Sequence, residues 1–240
     1  MWSFARIRAP VFVISEVLVF VVLTCCVQSS VGGRIYNQAQ AERFADSVLK
    51  EASKVVNQKK LDPVQLPTFN VSVPSQNLFT RVVSANMTTS LFGLSKGISK
   101  KACAYIPGHL VTSNVTVRCN LTVKYLHALT DSNIHGDEFL RMTVKKIALR
   151  TTVKSIQPMI VEWQGKNALK VSLTSFTAPS LSLKTSINGS SLSLSGARWT
   201  ALINAMHSSL ASLVQDVFRK SYRDALEVAT ERRLLPFFHI

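Results

Sequence analysis

The sequence predicts an α+β domain in which one long, highly curved antiparallel sheet wraps around a long C-terminal helix, preceded by a shorter helix. An apolar stripe of helical period covers residues 37–57, strand-like patterns fill most of residues 77–194, and the helical period returns over 197–234 without an interrupting glycine or proline. A helix of that length spans about 54 Å, and a strand over 109–126 spans about 60 Å. The two lengths match, so the helix can lie along the sheet.

The first helix is predicted from apolar residues spaced three or four apart, with Asn37 placed as its N-cap. The stripe consists of Ala41, Phe44, Ala45, Val48, Ala52 and Val55. Leu61-Asp62-Pro63 ends the helix, and Pro67 and Pro74 keep the following segment extended.

Two long strands follow a first one at residues 77–92. In the strand over 109–126 the apolar set has odd residue numbers, and a polar set, which includes Asn114 and Asn120, has even ones, so one face is buried and the other is solvated. The apolar set is Val111, Val115, Val117, Cys119, Leu121, Val123 and Tyr125. In the strand at 139–155 the apolar parity changes after Lys145-Lys146, which predicts a β-bulge.

Two hairpins and the terminal helix complete the pattern. Gly165-Lys166-Asn167 separates the alternating runs of the first hairpin, and Asn188-Gly189 is the turn of the second, with Leu192 and Leu194 beyond it. The stripe of the terminal helix comprises Trp199, Leu202, Ile203, Met206, Leu210, Leu213, Val214, Val217, Tyr222, Ala225 and Val228.

Residues 1–30 have the order of a secretory signal peptide. Arg6 and Arg8 precede an apolar stretch at 10–24, and small residues follow at 29–33. The alternative is an uncleaved anchor, but a spanning helix needs about 20 apolar residues and Glu16 interrupts this stretch. We expect a secreted, extracellular protein with a single domain over residues 31–240 and no integral membrane anchor after cleavage.

Cysteines and glycosylation sequons agree with secretion. Removal of the signal region leaves Cys103 and Cys119, an even pair that predicts one disulfide. Because a turn at Pro107-Gly108 would hold the two too far apart, either the hairpin centres near Val111 or residues 103–108 fold back as a loop. The sequons, which predict a glycoprotein, lie at Asn70, Asn86, Asn114, Asn120 and Asn188.

The element order resembles a known family. A helix, the segment Leu61-Asp62-Pro63-Val64-Gln65-Leu66-Pro67, a long meander and a long terminal helix are similar to the mite group-seven allergens, as are residues 173–176 and 214–219. Those proteins belong to the tubular lipid-binding superfamily, with bactericidal/permeability-increasing protein and the arthropod takeout and juvenile-hormone-binding proteins. The resemblance covers about residues 37–235, while the cysteine pair and the basic charge depart from the pattern.

The resemblance implies an apolar groove between sheet and helix that holds lipid-like molecules. The alternative is that the same side chains form a closed core. The candidate groove residues are Val111, Val115, Val117, Leu121, Val123, Tyr125, Leu169, Val171, Leu173, Leu181, Leu183, Trp199, Leu202, Met206, Leu210, Leu213 and Val217.

Charge supplies a second hypothesis. Lys and Arg number 28 against 13 Asp and Glu, a net charge of +15, and such a field attracts anionic partners. The favoured function is a non-enzymatic carrier or scavenger of a hydrophobic ligand. The alternative is a cationic defence or surface-binding protein that acts on anionic membranes, lipopolysaccharide or glycosaminoglycans. No nucleic-acid partner is expected, because aromatic residues do not alternate with the basic pairs.

Enzymatic and metal chemistry have weak signals. Gly93-Leu94-Ser95-Lys96-Gly97 matches the nucleophile elbow of serine hydrolases, with His207, His239 and Asp216 as partners, but no helical stripe follows it. A hydrolase using Ser95 is therefore a remote alternative. His135-Gly136-Asp137-Glu138 is interpreted as a solvated loop, and no metal or cofactor is expected, since zinc and phosphate-loop motifs are absent from the sequence.

Overall fold

The computed structural model describes residues 38–74, 82–108, 114–138, 141–166, 170–188 and 196–233. Helix α1 covers residues 38–58, and all six residues of its predicted stripe are buried. The predicted N-cap Asn37 and the predicted signal peptide lie outside the described residues.

Two sheets contain the strands. In chain order the described strands are β1 (Val64–Gln65), β2 (Phe69–Val73), β3 (Val83–Phe92), β4 (Ile98–Ile106), β5 (Asn114–Val123), β6 (Leu126–Glu138), β7 (Arg141–Gln157), β8 (Met159–Lys166), β9 (Lys170–Thr177) and β10 (Ser180–Asn188). The six-stranded sheet has the order β1-β3-β6-β7-β10, with β2 also paired to β3, and the four-stranded sheet has the order β4-β5-β8-β9. Every pairing is antiparallel.

The chain alternates between the two sheets. It leaves the six-stranded sheet after β3 and β7 and returns to it after β5 and β9. We call the line along which these connections lie the seam. The predicted fold class is confirmed, because long antiparallel strands combine with a shorter N-terminal helix and a long C-terminal one. The strands divide at the seam, however, where the sequence predicted one continuous sheet.

The hairpin of β4 and β5 confirms the predicted disulfide. Cys103 and Cys119 are direct cross-strand partners with Cα atoms 4.0 Å apart, and their sulfurs are bonded. The same register pairs Ile106 with Thr116, so it centres the hairpin near Val111, the first of the two alternatives. Residue 111 itself lies outside the described residues.

Three details of the predicted strands are wrong. β5 ends at Val123, and residues 126–138 form β6, so His135 lies in a strand rather than a solvated loop. The register between β6 and β7 is continuous through Lys145-Lys146, so no bulge lies there. The register shifts instead at three other places: between Lys100 and Ala102 on β4, between Glu162 and Trp163 on β8, and between Ser180 and Leu181 on β10. The predicted β8–β9 hairpin is confirmed by the pairing of Lys166 with Lys170. The second half of the predicted Asn-Gly hairpin falls in residues 189–195, which lie outside the described residues.

The C-terminal helix runs without a break over residues 196–231. It consists of α2 (Gly196–Val217), a π-helical turn (Phe218–Tyr222) and α3 (Arg223–Glu231). Every fourth residue from Arg198 to Tyr222 is buried, and we call this set the buried row. It contains Arg198, Leu202, Met206, Leu210, Val214, Phe218 and Tyr222.

Packing divides the interior into two apolar clusters. The larger cluster joins α1, the four-stranded sheet, the seam ends of β3, β6 and β7, and the helix from Leu210 to Ala229. The smaller cluster joins β2, the other halves of β3, β6 and β7, and the start of α2 at Leu202 and Met206.

Polar contacts hold α1 at the larger cluster. The side-chain amide of Gln38 donates to the carbonyl of Cys103 and accepts from the N–H of Tyr105, at 3.3 Å. Glu51 accepts from Arg232 at 3.1 Å and from Arg233 at 3.2 Å, which joins α1 to the end of the C-terminal helix. Lys54 also donates to Glu51. The hydrogen bonds from Lys54, which has the largest effect, and from Arg232 and Arg233 lower the pKa of Glu51.

Candidate ligand-binding face

The candidate site is the contact between the buried row and the inward faces of the two sheets. Leu202, Met206, Leu210 and Val214 are each no more than 1% exposed, so neighbouring atoms surround these four side chains. The sequence offered two interpretations of these residues, a groove and a closed core. In this structure the four residues pack as parts of apolar cores.

The candidate groove residues separate into the two clusters. The larger cluster contains Val117, Leu121, Val123, Val171 and Leu210 as buried residues and Leu173, Leu181, Leu183, Leu213 and Val217 as partly buried ones. The smaller cluster contains Leu202 and Met206, with Trp199 packed against it. Val115 is buried at 9% exposure outside both clusters. Val111 and Leu169 lie outside the described residues.

Tyr125 does not lie on the buried face. Its side chain is 74% exposed, because β5 ends at Val123 and the chain crosses the seam at Lys124 and Tyr125. The N–H groups of both residues donate to the carbonyl of Gly97, at 2.8 and 3.4 Å, and this contact fixes the crossing. The prediction that Tyr125 lines the groove is therefore wrong.

A band of buried hydroxyl groups separates the two clusters. Thr89 and Thr130 are cross-strand partners, and their Oγ1 atoms are 2.8 Å apart at no more than 1% exposure. Thr151 and Thr185 are also partners, with Oγ1 atoms 2.7 Å apart. On β3 the band lies between Met87 of the smaller cluster and Leu91 of the larger. We call these four residues the threonine band.

The threonine band extends to the helix through His207. Its Nε2 is 2.7 Å from Oγ1 of Thr185, and burial lowers the pKa of the imidazole. At neutral pH the ring is therefore neutral and can donate or accept in this contact. An apolar surface with a neutral hydrogen-bonding group on one border can bind a molecule with a long tail and one polar end. The sequence predicts the tail surface; it did not predict the band.

The predicted nucleophile Ser95 has a structural role. The carboxylate of Asp62 accepts the N–H of Gly93 at 2.8 Å, the N–H of Ser95 at 2.9 Å and the hydroxyl of Ser95 at 2.5 Å. Strand β4 follows this turn, where an elbow needs a helix. Burial raises the pKa of Asp62, but the three hydrogen bonds and the nearby His127 together outweigh it and lower the pKa.

The hydrolase partners are not assembled around Ser95 in the described part of the chain. His207 contacts Thr185, and Asp216 forms an ion pair with Arg219 at 3.7 Å. His239 lies outside the described residues. Gly93 has a φ of 95°, and a Cβ there would lie 2.4 Å from the carbonyl oxygen of Tyr125. The two glycines of the motif thus serve a tight turn against the seam.

Metal and membrane features are absent from the described residues. No group of three or more His, Cys, Asp or Glu lies close enough to hold a metal ion among them. Within the same residues, no helix combines the length and the apolar character that crossing a bilayer requires.

The predicted glycosylation sites lie on strands. Asn70 and Asn86 are exposed and are direct cross-strand partners on β2 and β3. Asn114 and Asn120 are half-buried on β5, and Asn188 ends β10. Their glycosylation stays a prediction.

Comparison with known proteins gives structural likenesses only. No protein-family model and no curated protein matches the sequence. The crystal structure of lipopolysaccharide binding protein is similar, with 11% identity and a TM-score of 0.38; the match covers 78% of this chain and 39% of that one. Takeout 1 of Epiphyas postvittana is similar with 13% identity and a TM-score of 0.22, covering 69% of this chain and 74% of that one. This chain thus spans well under two thirds of the first protein.

Proposed function

We propose that this chain is a secreted, non-enzymatic carrier or scavenger of a hydrophobic, lipid-like molecule, built on the tubular lipid-binding plan that its sequence resembles. The observation that carries the proposal is the buried row, which packs along the inward faces of both sheets from Leu202 to Tyr222. An apolar interior of this length suits an extended acyl chain or a terpenoid.

The smaller cluster is the proposed binding region. One helix segment covers it, and the partly buried Trp199 and Ile203 pack at its margin. A ligand that enters there displaces one helix segment rather than two helices, and the threonine band with His207 supplies a hydrogen-bonding border for its polar end. We therefore favour an amphiphile with a single polar group, such as a fatty acid or a terpenoid alcohol or acid.

Binding of a fluorescent fatty acid tests the proposal. Met206→Trp fills the proposed region and should weaken binding by about tenfold or more, while Val48→Trp overpacks the larger cluster from α1, outside the buried row, and should leave probe affinity unchanged. Each variant should also lose about 1–3 kcal/mol of stability, so urea unfolding must accompany the titration. Mass spectrometry of organic extracts of the native protein should identify a co-purifying lipid. The carrier function is wrong if the wild type retains no lipid and shows no saturable binding of fatty-acid, sterol or terpenoid probes.

A further inference from the structure

A recess on the outer surface at the seam carries an unusual concentration of lysines. Its volume is about 540 Å³. Its lining includes Lys100, Lys101, Lys124, Lys154, Tyr125 and Ser155. They come from the end of the β4–β5 hairpin, the crossing into β6 and the end of β7.

The backbone brings these lysines together. Consecutive residues of a regular strand point to opposite faces, but the β4–β5 register skips Lys101, since Lys100 pairs with Leu121 and Ala102 with Asn120. A bulge of this kind re-aims a side chain, which lets two adjacent lysines line one recess. Lys124 lies in the crossing, which the carbonyl of Gly97 holds at 2.8 Å.

Most of this positive charge is unpaired. Lys100 contacts Asp46 at 2.9 Å and Glu42 at 3.8 Å. Lys101, Lys124 and Lys154 form no ion pair with any described residue, and all three side chains are exposed. The hydroxyl of Ser155 accepts the N–H of Val123 at 3.1 Å, which leaves its own proton free to donate into the recess.

One exposed aromatic side chain lines the recess, and an exposed aliphatic side chain follows a lining residue in the sequence. Tyr125 is 74% exposed and Ile156, next to Ser155, is 68% exposed. The register places Leu126 opposite Val153, so the chain at Tyr125 runs beside that at Lys154. Lysines attract anionic lipid headgroups, and exposed aromatic and aliphatic side chains can enter the boundary between headgroups and acyl chains. This combination of side chains suits a bilayer interface.

We propose that this recess binds the phosphate of an anionic phospholipid headgroup, with Tyr125 and Ile156 entering the interfacial layer of the membrane. Three unpaired ammonium groups and one free hydroxyl proton match a group with several acceptor oxygens and a negative charge. The site lies on the outer surface, so it is independent of the proposed carriage of a ligand in the interior.

Vesicle co-sedimentation of the full chain tests the site. Wild-type protein should bind phosphatidylcholine vesicles that contain phosphatidic acid far more tightly than vesicles of phosphatidylcholine alone. The triple variant Lys101→Glu/Lys124→Glu/Lys154→Glu should bind at least about a hundredfold more weakly, because each lysine near an anionic surface contributes roughly fivefold. Circular dichroism checks that the variant is folded.

A matched control separates the site from the net charge. Lys59, Lys146 and Lys220 are exposed and form no ion pair with described residues, so Lys59→Glu/Lys146→Glu/Lys220→Glu changes the net charge equally. This control should lose less than about fivefold, since charges beyond about 8 Å are screened at physiological salt. Equal losses in the two triple variants would overturn the proposal in favour of an unlocalised basic surface.

Two further measurements test the chemistry. Sodium phosphate should release wild-type protein from the vesicles more effectively than sodium chloride of equal ionic strength. Tyr125→Ser/Ile156→Ser should weaken vesicle binding severalfold, whereas Val82→Ser/Leu129→Ser, at two other exposed apolar positions, should not. Equal release by the two salts would overturn the phosphate assignment. Binding of inorganic phosphate without binding to vesicles would overturn the lipid as its source.

Discussion

The two apolar clusters share one helix but differ in how they are reinforced. The larger cluster has α1 as a second helix, the Cys103–Cys119 disulfide and the ion pairs of Glu51. The smaller cluster is covered by the first half of α2 and bordered by β2. The contact of Thr185 with His207 links the helix to the strands beside this cluster.

This difference indicates where the molecule opens at least cost. Local opening is easiest where few apolar contacts and few cross-links must break, and ligand-binding regions are drawn from such parts of a structure. In the proposed function, the larger cluster holds the fold while the smaller one exchanges its side-chain contacts for the ligand. Substitutions that remove each source of reinforcement in turn measure this difference.

The largest effect is expected at Trp163. Its indole is fully buried and meets the ring of Phe44 edge-on, with centroids 5.7 Å apart. Trp163→Ala should cost about 3–5 kcal/mol of unfolding free energy in urea denaturation. Trp163→Phe is the control and should cost less, because it keeps an aromatic ring and removes an indole N–H that has no hydrogen-bond partner. Equal costs would show that the ring is not what stabilises the larger cluster.

Removal of the disulfide should cost about 3 kcal/mol. Cys103 and Cys119 are 16 residues apart, and a cross-link over such a loop stabilises by about that amount in the chain-entropy model. The measurement is urea unfolding of Cys103→Ser/Cys119→Ser against the wild type, with and without reductant. Reductant should bring the wild type to the stability of the variant and leave the variant unchanged.

Asp62 should contribute about 1–2 kcal/mol through the hydrogen bonds it accepts at the seam, and Asp62→Asn should lose most of this at neutral pH. Because the pKa of Asp62 is lowered in the fold, its contribution is present above the ordinary aspartate pKa of about 3.9 and is lost as the pH falls through the folded value. Unfolding free energy measured between neutral and acidic pH should therefore fall less steeply in Asp62→Asn. Ser95→Ala, which leaves the two backbone donors in place, should have a smaller effect and should leave binding of a fatty-acid probe unchanged.

The smallest net effect is expected in the threonine band. Thr89→Val or Thr130→Val alone leaves a buried hydroxyl without its partner and should cost about 1–2 kcal/mol. The double variant replaces both hydroxyls with methyl groups of similar shape and should recover most of the loss. A double-mutant cycle in urea measures this coupling; additive losses would mean that the two hydroxyls do not act as a pair.

The sequence predicted the parts of the fold whose buried face is apolar. The stripe of α1 and the alternation from Val115 to Val123 both reach the interior as predicted, because each is a long apolar run of a single period. Strand β6 was missed because its inward positions include Thr130 and Ser132. These buried polar residues interrupt the alternation of apolar and polar residues that predicts a strand.

Tertiary contacts decide the features that were predicted wrongly. Tyr125 continues the parity of β5, but its exposure follows from the seam, and the seam depends on the turn at Gly93 and its contact with Asp62, distant in sequence. The parity change near Lys145-Lys146 did not require a bulge, because a strand can carry apolar residues on both faces. The lysine recess depends on a bulge at Lys101, which the pattern of apolar and polar residues in β4 does not predict.

The spacing of the buried row has a consequence for the shape of the interior. An α-helix turns by about 100° per residue, so residues four apart are offset by about 40° rather than aligned. From Met206 to Phe218 the row has rotated around the helix axis by about 120°. The interior is therefore a spiral surface rather than a flat one, and the two sheets must twist with it to stay in contact. An elongated ligand that followed the buried row from one cluster to the other would have to coil around the helix. This geometry favours ligands with flexible chains over ligands with rigid fused rings.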